Sequence, residues 1–101
     1  MRETAYQARI ITRLRDMFPG CFIQKNDPQQ QQGVPDILIL FNDKWSMLEF
    51  KRSSNSSRQP NQEYFVNQFN EMSFAAVICP ENEEEVLYEL TRVLAGHQTV
   101  S

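Results

Sequence analysis

A run of five consecutive large apolar residues, Ile37 to Phe41, has an acid immediately before it, Asp36. An acid and a base, Glu49 and Lys51, close the strand-like stretch that follows. Burying a charge costs several kcal/mol unless a partner or a metal compensates. If the two stretches form a hairpin with Asn42 and Asp43 as a two-residue turn, Phe41 faces Lys44 and Asp36 falls opposite Glu49. Directly opposed residues share a face, with Cβ atoms about 5 Å apart, and like charges so placed repel. Lys51, two residues beyond Glu49, points the same way. Two carboxylates and an ammonium then meet at one sheet edge, an arrangement that makes sense around a cation. Hard oxygen ligands select Mg²⁺ or Mn²⁺, which need only one or two protein carboxylates. The lysine beside them could act as a base, position water, or balance a phosphate. A three-residue turn would shift the register by one and separate the groups.

The surrounding elements must support that hairpin. Residues 3–18 form an amphipathic helix pattern, with Tyr6, Ile10, Leu14 and Met17 on one stripe and Pro19-Gly20 as its stop. A short strand over 21–25 precedes a polar loop, 26–35, with four consecutive glutamines. Strands are expected over 36–41 and 45–51, and a helix over 60–72. A strand over 74–80 and a helix over 81–95 complete the chain. Phe65, Phe69, Met72 and Trp45 read as core. The order αβββαβα, with the fourth strand arriving by a helical crossover, predicts an α/β fold: a mixed sheet with helices on both faces and strands buried on both sides.

Composition narrows the function classes. The chain of 101 residues is 41% hydrophobic and 23% charged, ordinary material for one globular domain. It has no apolar run of membrane-spanning length, and "MRETAYQARI" lacks an apolar signal region, so a cytoplasmic protein is expected. Two cysteines, Cys21 and Cys79, make neither a disulfide framework nor a zinc site. The net charge of −3 argues mildly against a passive nucleic-acid binder. Residues 81–101 hold five of the 13 acids and one of the ten bases, however, so residues 1–80 sum to +1. The acidity reads mainly as a C-terminal helix face, leaving room for a polyanionic partner.

"PD" before an apolar strand, twelve residues, and then "EFK" resembles the PD-(D/E)xK signature of restriction-endonuclease-like nucleases. Within that superfamily the chain looks most like the VRR-NUC group, through Gly33-x-Pro35-Asp36, Glu49-x-Lys51, Gln62 opening the next helix, and Glu3 near the start of the first. It is similar in outline to archaeal Holliday-junction resolvases. A glycine the group usually has before the last core strand is replaced here by Met72-Ser73. The resemblance implies an αβββαβ core with an extra C-terminal helix, a single domain over residues 1–96 and a tail over 97–101. It implies that Asp36, Glu49 and the Phe50 carbonyl hold Mg²⁺ or Mn²⁺. Lys51 would orient or deprotonate water, Glu3 would reach the metal through water or support a second ion, and Gln62 would steady Lys51 or the scissile phosphate.

Lys25, Gln31, Gln32, Arg52, Arg58 and Tyr64 flank the motifs and are the expected nucleic-acid contacts; His97 lies in the tail. A bare catalytic core with no recognition domain suits branched, junction or flap DNA better than a sequence. Two such cores as a homodimer could cut two strands. The small size hints at a phage or mobile-element product acting in a host cytoplasm. Two rivals remain in view: the same fold kept as an idle adaptor for DNA or protein, and an α/β interaction protein with no nucleic-acid role.

Overall fold

The computed structural model describes residues 2–57 and 59–96. Its elements are α1 (Glu3–Met17), β1 (Phe22–Lys25), β2 (Ile37–Phe41), β3 (Lys44–Phe50), α2 (Pro60–Met72), β4 (Phe74–Ile78) and α3 (Glu83–Leu94). The strands form one sheet in the order β1-β2-β3-β4, antiparallel except where β3 pairs with β4. This is the expected α/β fold, a four-stranded mixed sheet flanked by three helices.

The hairpin turn is Asn42-Asp43. Phe41 pairs with Lys44, and the ladder runs back to Ile37 opposite Leu48. Asn42 takes φ +57, a left-handed conformation that Asn tolerates better than other non-glycine residues. The next position back is Asp36 against Glu49, so the two-residue register places both acids at the same end of the hairpin.

Strand alternation then divides the sheet. Ile37, Ile39, Leu48, Phe50 and Ile78 point to one face and meet Tyr6, Ile10 and Leu14 of α1 with Val86, Leu87, Leu90 and Leu94 of α3. The spacing of four along α1 puts its three core residues on one stripe, each fully buried. Burying side chains of this size stabilises by about 1.5–3 kcal/mol each. No helix among the described residues is long and apolar enough to cross a membrane.

The opposite face is thinner. There α2 covers β3 and β4, with Trp45 and Phe69 edge to face at 6.2 Å and the Ser73 hydroxyl donating to the Trp45 carbonyl at 2.5 Å. No residue of α2 is fully buried. Met72, read from sequence as core, is 65% exposed, because it lies at the end of α2 beyond the sheet's cover. Phe65, Phe69 and Trp45 are half-buried rather than core. The run ILILF is likewise not covered on both sides. Phe22 and Leu40, directly paired on this face, are 55% and 40% exposed because α2 packs mainly over β3 and β4.

Candidate active site

The end of β2 is held in place by its own loop. Gly33 takes φ +89, and a Cβ there would sit 2.5 Å from the Cβ of Asn61. Only glycine lets the glutamine loop lie this close to the start of α2. Pro35 is fully buried, and Asn26 clamps the chain behind it: its side-chain amide donates to the Pro35 carbonyl at 2.8 Å and its N–H to the Asp36 carbonyl at 2.9 Å. Asn26 escaped the sequence reading because an amide in a polar loop carries no signal of what it clamps.

Fixed this way, Asp36 reaches across the hairpin. Its Oδ2 accepts the Phe50 N–H at 2.8 Å. Burial raises its carboxyl above the usual range, a shift the Phe50 hydrogen bond and the charges of Lys51 and Lys25 oppose while Glu3 adds to it.

Glu49 is the most buried ionisable group of the cluster, 2% exposed. Its Oε2 accepts from the Gln62 amide at 2.8 Å and lies 3.7 Å from Lys51 Nζ. Its Oε1 is buried with no partner. Burial above all, then the charges of Asp36 and Glu3, push this carboxyl up to about 7 against the opposing pull of Lys51. Lys51 is also nearly buried, and its Nζ donates to Gln62 Oε1 at 3.2 Å. Gln62 thus holds Glu49 with its nitrogen and Lys51 with its oxygen. The same oxygen accepts the Gln59 N–H at 3.1 Å, tying the pair to the first turn of α2.

These residues fit a divalent cation through the Glu49 oxygen that lacks a partner. An orphaned buried carboxylate oxygen costs about 1–3 kcal/mol or more, which a cation would offset. Asp36, Glu49 and the carbonyl of Phe50 lie together at the strand end, a donor set of the size Mg²⁺ or Mn²⁺ accepts. Glu3 stands apart from that set: among the described residues no three Asp, Glu, His or Cys side chains cluster closely enough to hold a metal. Glu3 acts on Asp36 and Glu49 through its charge and lines a neighbouring pocket of about 360 Å³ with Lys51, Arg52, Arg2, Ser56 and Ser57.

The outer candidates scatter around this centre. Lys25 and Gln31 line one shallow pocket with Asn26 and Asp27, and Gln32 lines another with Asn61 and Gln62. Tyr64 is exposed on α2, edge to face with Phe65 at 5.2 Å. Arg58 and His97 lie outside the described residues. Arg2 was missed, since one arginine before a helix resembles any solvated charge. A second buried glutamate was missed as well. Glu83, counted from sequence among the acids of a helix face, is 6% exposed and joins Tyr6, Arg9 and Arg13. Neither a family model, nor a curated protein, nor a solved structure matches this chain.

Proposed function

We propose that the protein is a metal-dependent endonuclease that hydrolyses DNA phosphodiester bonds, selecting branched, junction or flap structures rather than sequence. The observation that carries this reading is Glu49: a buried carboxylate with one oxygen unpartnered, opposite Asp36 and bridged to Lys51 by Gln62. A carboxylate kept for structure alone has no reason to leave an oxygen orphaned in a charged cluster.

Asp36, Glu49 and the Phe50 carbonyl would hold Mg²⁺ or Mn²⁺, which when bound offsets charge on a phosphate oxygen and acidifies water. The chain's own groups do the rest. The Phe50 N–H fixes one Asp36 oxygen and would leave the other for the cation. Lys51 Nζ, held by Gln62, would face the attacking water or a non-bridging phosphate oxygen, where its positive charge would favour the developing negative charge. Gln62 also keeps Glu49 from rotating away. DNA as the substrate, in preference to RNA, rests on the resemblance to the VRR-NUC nucleases, because no residue here reads a 2′-hydroxyl.

The homodimer belongs to the same reading. The exposed Phe22–Leu40 pair beside α2 is the apolar surface a second copy would cover. Purified protein incubated with labelled four-way junction, flap, duplex and single-stranded DNA, with Mg²⁺, Mn²⁺ or EDTA, tests the function. Metal-dependent cutting lost in Asp36→Ala and Lys51→Ala supports it; binding without cutting under every metal condition turns the reading to an idle adaptor.

A further inference from the structure

The pocket beside Lys51 differs in charge from the carboxylate cluster it adjoins. It is lined by Arg2, Glu3, Lys51, Arg52, Ser56 and Ser57. The guanidinium groups of Arg2 and Arg52 have neither an ion pair nor a hydrogen bond to any described residue. Lys51 is already held by Glu49 and Gln62, so the two arginines are the unpaired cations of a pocket whose lining includes one acid, Glu3. Arg2 is also the residue preceding α1, where the positive end of the helix dipole makes a cation unfavourable. Arg9, Arg13 and Arg92, by contrast, all pair with glutamates. Converging, unpaired positive charge with two hydroxyls at its rim suits a tetrahedral oxyanion, which guanidinium groups bind bidentately.

Resting on the nuclease reading, we propose that Arg2 and Arg52 form a subsite for the phosphate next to the scissile one. Lys51 belongs to both the pocket and the carboxylate cluster, so a strand with one phosphate at Asp36 and Glu49 presents its neighbour to the arginines. The subsite reads backbone and not base, in keeping with structure-selective cutting. It requires that the strand continue past the cleaved bond on that side.

Binding without turnover tests this. Fluorescence anisotropy of a labelled 20-nucleotide strand and of a flap is measured in Ca²⁺ between 50 and 300 mM KCl. Arg2→Gln and Arg52→Gln are each expected to weaken binding about three- to tenfold and to reduce the slope of log K against log[KCl] by about 0.7–0.9. Arg15→Gln, which removes the same charge from the opposite end of α1, leaves that slope unchanged. In the wild type, one methylphosphonate beside the cut position weakens binding by a similar factor. In the Arg2→Gln/Arg52→Gln double variant it has no further effect, as a direct contact demands. Equal slopes in all variants, an equal loss in Arg15→Gln, or a methylphosphonate effect that survives in the double variant overturns the subsite. Metal-dependent cleavage that needs Asp36 and Lys51 would leave the nuclease reading standing in each of those cases. Wild-type protein that binds no DNA at 50 mM KCl overturns both.

Discussion

Two glutamates are buried in this small molecule, and they are treated in opposite ways. Glu83, at the start of α3, has both oxygens taken: Oε1 accepts from the Tyr6 hydroxyl at 3.2 Å and from Arg9 at 2.8 Å, and Oε2 from Arg13 at 2.5 Å. Arg13 reaches Glu84 as well. The cluster pins α1 to α3 beside the core, and burial together with Glu83 pushes the Tyr6 phenol well above its usual range. Glu49 has a single amide and a lysine at 3.7 Å on one oxygen and nothing on the other. The first is a closed charge network, and breaking such a network costs stability. The second is left open, which is what a binding site for a cation requires.

The comparison breaks most sharply at activity. Glu49→Gln, Asp36→Ala and Lys51→Ala are each expected to lower metal-dependent cleavage by about 10³-fold. Glu83→Gln, assayed below its melting temperature, should keep cleavage within a few fold. A Glu83→Gln protein that is folded and inactive would erase the distinction between the two sites.

The next effect is on stability against pH. Glu49 titrates near 7 when folded and near 4.3 when unfolded, so the folded chain takes up its proton more readily. Its contribution is full below pH 4.3, falls as pH rises and is gone above about 7. That difference amounts to roughly 3–4 kcal/mol, and Asp36, also raised, acts in the same direction. Urea denaturation from pH 4.5 to 8 should show this fall in the wild type relative to Glu49→Gln. Mn²⁺, which binds the deprotonated form, should raise the wild-type melting temperature more at pH 8 than at pH 6.

Glu83→Gln should cost about 2 kcal/mol at pH 7 by urea denaturation. The figure falls short of the 3–5 kcal/mol typical of a buried pair because Arg9 and Arg13 are partly solvated. Last comes Ser46, whose hydroxyl is buried on the α1–α3 face of the sheet without a partner. Ser46→Ala should stabilise the fold by about 1 kcal/mol and leave cleavage untouched. Loss of activity in that variant would show that an orphaned polar atom alone does not separate a working site from a packing defect.

Much of the fold was legible because its signals are local. The four-residue stripe of α1, the Pro19-Gly20 stop and the short apolar run ILILF bounded by a turn each act within a few residues. Met72 was misread for the same reason. Helical spacing assigns it to the stripe of Phe65 and Phe69, but spacing does not say how far the sheet extends beneath the helix. Glu83 was misplaced because its arginines lie some 70 residues earlier in the chain.

The sequence by itself determined that a two-residue turn at Asn42-Asp43 would bring Asp36, Glu49 and Lys51 to one side, and the structure supplied that turn. Strand alternation has a period of two, and a turn length sets a register without help from distant residues. Only the tertiary structure decided what those groups became. Docking α2 over β3 brought Gln62 between Glu49 and Lys51, excluded water from one carboxylate oxygen and moved its pKa towards neutrality. Packing α1 against β3 gathered Arg2 from before α1 and Arg52 from after β3 around one pocket. Burial and convergent charge depend on which elements pack together, and no spacing along the chain encodes them.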